Sequence, residues 1–339
     1  MKRLYLFLAA IVCLTLVAAC SKGSKNQVAP TDEGQVSVVY FTSEITPESL
    51  VKIYEAVGRP ATGRVAIKIS TGEMGGNNYL KPALIAPLVQ KVGGTIVECN
   101  TAYGGSRATT EVHKETIRAH GFYDVADVDI MDEEGEFQIP VKDDKWIKYD
   151  IVGSHLKNYD FMINLAHFKG HAMGGFGGVL KNASIGVASP NGKVYIHSAG
   201  AFQQATVEGD LHAPEGWYES PEKNTPFVES MAAAAQAVHE FFGNGQRILY
   251  IDVMNNISID CDCDSHPADP TIQDIGIAAS LDPVALDKFC LDQVFNLPND
   301  AHNDTKALLE RINARHGIRI VDRGEEIGLG TTKYTVVKL

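Results

Sequence analysis

Short apolar runs alternate along this chain with segments whose apolar positions recur at helical spacing. The runs at 36–41, 64–69 and 95–99 read as strands, being rich in β-branched residues and too short for helices. Between the first two, Thr46 and Pro47 mark a helix start, as cap and first-turn residue. Residues 82–92 carry an apolar helical period, and a third helix spans 109–119, ending at Gly121. This order predicts parallel strands joined by crossover helices. Residues 125–131 read as a fourth strand.

From 132 to 151 acidic turns alternate with β-like pieces at 137–141 and 145–149, which predicts a small antiparallel excursion. An apolar strand at 161–165 restores the α/β pattern, and a helix beginning inside the next, glycine-rich stretch carries Lys181. Residues 198–227 have no period and read as a long loop or cover. A helix over 228–242, a buried strand over 247–254 and a shorter strand over 274–280 follow. Helices over 282–294 and 305–316 and a last strand over 334–339 complete an α/β fold with a largely parallel or mixed sheet. There is no internal repeat.

The N-terminus adds an address. Lys2 and Arg3 precede an apolar run over 4–16, and small residues lead into Cys20, the pattern of a secretory signal over 1–19. The cysteine after the small residues resembles a bacterial lipobox, so Cys20 is expected to be lipidated; a plain signal peptide with an incidental cysteine is the alternative. Residues 20–35, rich in Ser, Lys, Asn, Gln and Gly, read as a flexible tether. Ser21 rather than Asp after the cysteine leans towards the outer membrane, on its periplasmic side. No later segment is apolar and long enough to span a bilayer. The remaining residues, 36–339, suit one large domain or two lobes, 36–131 and 132–339. Removing 1–19 takes two basic residues and no acid, leaving 28 basic against 42 acidic side chains, a net charge of −14. Such a surface repels nucleic acid; contact with a membrane would run through the N-terminal lipid only.

Residues 164–182 hold two histidines, two lysines, two asparagines and five glycines directly after a strand. Glycine lets backbone approach a ligand, while histidine and lysine bind metals and anions. Comparable polar loops occupy 68–79, 100–107 and 261–266. All four follow predicted strands, and in parallel sheets the carboxyl ends of strands form the ligand crevice. Single loops of this kind can be mere turns; four together predict one pocket. Lys68, Asn78, Tyr103, Arg107 and Asn182 are candidates to bind a small anionic molecule, with Lys169, Lys181 and Glu73 as candidate catalytic groups. His167 and His171 lie four apart, but Gly170 argues against a shared helix face. His171 is the better metal ligand, and either histidine can be a hydrogen-bonded core residue.

Of the four cysteines in the body, Cys261 and Cys263 are too close in sequence for an ordinary bridge. They read as ligands for one iron or zinc ion, as redox thiols, or as buried and inert. Cys99 is a further candidate ligand. No Walker loop, dinucleotide fingerprint or nucleophile elbow is present.

The chain resembles the domain of unknown function 362 family, often labelled iron–sulfur-centre proteins. The resemblance rests on residues 65–69, Thr71, Gly72, Glu73, 78–82, 100–107, His113, 120–122, 169–182, Gly192, Lys193, His197, Ser198, 261–263 and 274–285. It implies an α/β fold and an iron or other metal site, without implying a particular reaction. Many relatives carry a ferredoxin-like insert with four cysteines after the His-Ser segment. Here residues 199–227 contain no cysteine, so that four-cysteine cluster is not expected. Ser70 stands where relatives often have histidine. Two readings follow: a metal-dependent enzyme or redox protein acting on a small anionic substrate, or a tethered protein that captures such a ligand without turnover.

Overall fold

The computed structural model describes residues 35–205 and 219–339. The signal sequence, Cys20 and all but the last residue of the tether lie outside the described residues, as does part of the 198–227 cover. Residues Gln35–Leu339 form one compact unit. No described helix is long and apolar enough to cross a membrane.

An eight-stranded sheet organises the domain, in the order β12-β1-β11-β10-β7-β2-β3-β4. These are β1 (Ser37–Thr42), β2 (Val65–Lys68), β3 (Thr95–Glu98), β4 (Val128–Ile130), β7 (Phe161–His167), β10 (Ile248–Met254), β11 (Gly276–Ser280) and β12 (Tyr334–Lys338). β11 alone runs against its neighbours; every other pairing is parallel. The largely parallel sheet expected from the chain pattern is therefore present, and β7 and β10 extend the sheet begun by β2, β3 and β4.

Successive side chains on a strand point to opposite faces, and this sorts the core in two. Val65, Ile67, Ile163, Leu165, Leu249 and Ile251 face helices α1 (Pro47–Val57), α2 (Pro82–Val92) and α3 (Thr110–Ala119). Ala66, Met162, Ala166, Ile248 and Tyr250 face the other layer. That layer contains α4 (Val179–Ser184), α5 (Pro190–His197), α6 (Pro221–Phe241), α7 (Pro283–Phe295), α8 (Lys306–Ala314) and α9 (Arg319–Glu326). The same alternation puts Lys68, Asn164 and Asp252 on the α4 side, which prepares the functional site.

Local chemistry sets the helix ends. Thr46 accepts a hydrogen bond from the Ser49 N–H, and Gly58 closes α1 in the left-handed conformation. Asp282 accepts from Val284 and Ala285 at the start of α7. Ser220 caps α6, whose first residue Pro221 lies seven residues before the expected start at 228, so the helix takes in Pro226. The excursion forms a hairpin, with β5 (Glu136–Pro140) antiparallel to β6 (Tyr149–Gly153); its second strand lies later than expected. Among the described residues two α-helices were not expected, α5 and α9. A second small hairpin, β8 (Lys169–His171) with β9 (Gly175–Gly177), occupies the glycine-rich segment ahead of α4.

Candidate functional site

The loops after β2, β3, β7 and β10 all leave the sheet at its carboxyl edge, and they meet in one crevice of about 480 Å³. Its walls include Glu73, Arg107, Lys169, His171, Lys181 and Cys263. This is where a parallel sheet is expected to hold a ligand. Lys68, Cys99, Tyr103, Asn182 and Cys261 also line it; of the candidates in the body of the chain, Asn78 does not. The Asn78 amide donates to the carbonyl of Ala268 at an exposed position, so it fastens two loops to each other outside the crevice.

Two buried carboxylates organise the cations. Glu98 accepts from the Lys68 ammonium at 2.9 Å, from the Thr71 N–H at 2.7 Å and from Arg107 at 3.4 Å. Burial alone would raise its pKa, but Lys68, Arg107 and His113 hold it at about 2. Asp262 accepts from Lys169 at 2.9 Å and pairs with His167 at 2.9 Å. Burial again opposes its charge, and His167 and Lys169 outweigh it, leaving the carboxyl well below its ordinary range. His167 also contacts the Asn255 carbonyl at 2.6 Å, so it is the hydrogen-bonded core histidine of the pair.

These contacts revise several expected roles. Lys68 donates to Glu98, to Asn182 Oδ1 and to the Ile69 carbonyl, which uses its three hydrogens internally. Asn182 donates to the Lys68 carbonyl and to Asn164 Oδ1, tying α4 to β2 and β7. Glu73 accepts from Ser106, Arg107 and Tyr103, so it braces two loops instead of waiting as a proton acceptor. Arg107 is divided between Glu73, Glu98 and the Tyr103 hydroxyl. Tyr103 lies 3.3 Å from the Cys263 carbonyl, and burial pushes its phenol up to about 12.

Lys181, on α4, differs from all of these. Among the described residues its ammonium has no carboxylate or hydrogen-bond partner. Burial, followed by the charges of Lys169, Arg107, Lys193 and Lys68, lowers its pKa to about 7. Among the described residues the ammonium of Lys193, on α5, bonds only to the Ala188 carbonyl. His197, one turn further along α5, bonds through Nδ1 to the Lys193 carbonyl at 2.7 Å and stacks on Phe227. Burial holds its pKa at about 3, so its ring is neutral. Lys193 and His197 both line the crevice. They were read only as part of a family pattern; the Ser189 cap and Pro190 that start their helix were the available signal.

The third loop brings imidazole to sulfur. β8 passes so close to the chain at 258–260 that a Cβ on Gly170 would collide with the Ile259 carbonyl. The Gly170 N–H bonds the Ser258 carbonyl at 2.8 Å. This contact sets His171 beside Cys261 and Cys263, and the three offer ligand atoms within 4.8 Å of one another. Cys261 and Cys263 form a disulfide, with Cα atoms 5.2 Å apart. The short sequence spacing argued against such a bridge, but the turn there gives a Cα separation within the normal range for one. Cys99 is outside this group; its thiol donates to the Val187 carbonyl at 3.2 Å. Burial pushes that thiol well above its ordinary pKa, which suits an inert side chain.

Two thiolates and an imidazole fit zinc or iron, and three protein ligands leave a coordination position open. Sulfurs on one tetrahedral zinc lie about 3.8 Å apart, so the disulfide must first be reduced. His171 Nδ1 accepts the N–H groups of Gly174 at 2.9 Å and Met173 at 3.2 Å. The neutral ring therefore carries its hydrogen on Nε2. Burial and nearby Lys181, His197 and Lys169 keep the ring neutral, with its pKa well below the ordinary value. Reduced, His171, Cys261 and Cys263 form a group able to hold one metal ion once the Met173 and Gly174 N–H groups release Nδ1, because the ring's one lone pair is otherwise engaged.

Behind the crevice, a second acid pair lies under Gly178, where an added Cβ would meet the carboxylates of both Asp287 and Asp252. Asp287 accepts the N–H groups of Val179 and Leu180 at 2.8 and 3.0 Å. Asp252 makes no close hydrogen bond among the described residues; the Cys290 thiol and the Val253 N–H are its nearest donors. Burial raises Asp287 to about 7, and burial together with Asp287 raises Asp252 well above its ordinary value. Raised acid pKa values mean that the folded protein retains protons the unfolded chain releases. The pair therefore stabilises the fold fully below pH 3.8 and loses that contribution as the pH rises to about 7 and beyond. Denaturant melts at pH 5 and pH 8 should show the loss, and Asp252→Asn should reduce it. An unchanged pH dependence in the variant would remove the pair from the account.

Comparison with known proteins identifies the family. The family described as Domain of unknown function (DUF362) matches residues 65–292. The chain belongs to the DUF362 family. No curated protein matches it. Among solved structures, it is similar to the lactate racemase apoprotein from Thermoanaerobacterium thermosaccharolyticum, with 15% identity and a TM-score of 0.37. That match covers 63% of this chain and 50% of the other. A Thermotoga maritima protein matches with 11% identity and a TM-score of 0.41, over 70% of this chain and 55% of that one. The chain thus spans about half the length of each. The DUF362 match encloses all four crevice loops, including His171, Lys181, Cys261 and Cys263.

Proposed function

We propose that this DUF362 protein holds one zinc or iron ion on His171, Cys261 and Cys263 and acts on a small anionic molecule bound beside it. The observation that carries this reading is the placement of the thiol–imidazole group and the carboxylate-free ammonium of Lys181 in one crevice. A ligand carboxylate or phosphate would supply the partner that Lys181 lacks. Lys169, held by Asp262, and Arg107, held by Glu73 and Glu98, add positive potential around it. A metal ion held by His171, Cys261 and Cys263 would supply Lewis acidity or an activated water. Capture without turnover is the second reading, supported by the internal engagement of Glu73, which leaves the crevice short of a free carboxylate base.

We also infer that the chain works on the periplasmic side of a bacterial membrane, outer membrane favoured, anchored by lipid on Cys20. The sequence of residues 1–35 supports this, and Cys20→Ala should free the chain from the membrane fraction. Elemental analysis of full-length protein, reduced with a phosphine and handled without oxygen, tests the metal. About one zinc or iron per chain is expected, lost in the Cys261→Ser/Cys263→Ser double variant. Metal-free wild type, or equal metal in the variant, would refute the ligand assignment.

A further inference from the structure

Among the described residues two ammonium groups of the crevice, Lys181 and Lys193, form no ion pair, although Asp132 and Glu98 lie near enough to act on Lys193, while Lys68 and Lys169 are paired with Glu98 and Asp262. An unpaired ammonium held mostly out of water is unfavourable for folding, and a bound anion offsets that cost. Two such groups call for a ligand with two recognisable ends. We propose that Lys181 is a nucleophilic amine that forms an imine with a small 2-oxo carboxylate, whose carboxylate is held by Lys193. This rests on the anion-binding reading of the crevice and adds the chemical class of the ligand.

The geometry favours this division of labour. Lys193 is fixed by the Ala188 carbonyl and is nearly enclosed, so it serves as a stationary counter-charge. Lys181 has no such tether and is partly open to the cavity. Four neighbouring cations, together with burial, favour its neutral form, and a neutral amine is what attacks a carbonyl. His197 keeps its Nε2 lone pair, because its Nδ1 hydrogen is given to the Lys193 carbonyl. It can therefore accept a hydrogen bond from a ligand in the same crevice.

The step balances without oxidant or reductant. The Lys181 nitrogen attacks the 2-oxo carbon, a C–N bond forms and the carbonyl π bond opens onto oxygen. The two amine hydrogens pass to that oxygen, the C–O bond breaks, and water leaves as the C=N bond closes.

Reductive trapping tests the proposal. Full-length protein is incubated with 2-oxobutanoate and sodium cyanoborohydride, then analysed by intact mass and peptide mapping. One adduct is expected, with the mass of the acid less one oxygen, on the peptide carrying Lys181. Oxalate, which has no ketone, should suppress it, and Lys181→Arg should abolish it. No adduct, or labelling spread evenly over exposed lysines, would overturn the proposal; the wild-type map decides this even where a variant misfolds. Oxalate binding, measured separately by calorimetry, distinguishes the two readings. Oxalate bound without an adduct removes the imine and leaves the anion site. An adduct at Lys181 without oxalate binding supports the imine and removes the general anion site.

Discussion

Replacing Glu98 with glutamine is expected to destabilise the fold by about 3–5 kcal/mol. Glu98 is the shared acceptor of Lys68, Thr71 and Arg107, all buried. Glutamine keeps the volume but leaves the Lys68 ammonium as an uncompensated charge in the interior. Two independent arguments agree on the size. Breaking a buried ion pair on one side costs about that much. The depressed pKa of Glu98, about 2 against 4.5, also corresponds to about 3 kcal/mol. That stabilisation is complete above pH 4.5 and is lost as the pH falls through about 2. Urea denaturation at neutral pH measures the effect, and a loss under about 1 kcal/mol would mean the pair is effectively solvated. Removing both charges, as Lys68→Met with Glu98→Leu, should recover much of the loss, because no lone charge remains.

Lys181→Met is expected to act in the opposite direction on stability while weakening ligand capture. The wild-type ammonium is an unfavourable charge in the folded state. Its penalty is absent above pH 10.5, grows as the pH falls, and is complete below about 7. Methionine removes the charge and keeps most of the volume, so the variant should melt higher at pH 6 by a few kcal/mol in stability. Oxalate affinity should fall roughly 100-fold, as expected when one partner of an enclosed charge pair is truncated. Gain of stability with loss of binding is the signature of a residue kept for function. A variant that is less stable and still binds oxalate would assign Lys181 a structural role.

The sheet and the crevice were legible in the sequence for a common reason. Short apolar runs rich in β-branched residues mark the strands, and parallel strands send their following loops to one edge. Lys169, His171, Lys181 and Cys261 could therefore be grouped without knowing any contact. The β8–β9 hairpin was hidden because its glycine-rich residues make no apolar run, although it is the element that sets His171 against the Cys261 turn. α5 was hidden because Pro190, Asn191 and Gly192 resemble a turn, even with Ser189 poised to cap it. The pairing of charges was illegible for a different reason. Which lysine receives a carboxylate depends on distances between loops far apart in sequence, such as 68 with 98 and 169 with 262. The pattern singled out Lys68, Lys169 and Lys181 alike as candidate site lysines, whereas tertiary structure neutralises the first two and leaves the third.

The account turns on metal ligands and anion acceptor sharing one cavity, and cobalt(II) absorption reports both at once. Reduced full-length protein loaded with cobalt(II) should show thiolate charge-transfer and tetrahedral bands, and saturating oxalate should shift the tetrahedral bands. In Lys181→Met the cobalt bands should remain and the oxalate shift should disappear. Bands without a thiolate component, or an oxalate response identical in the variant, would contradict it.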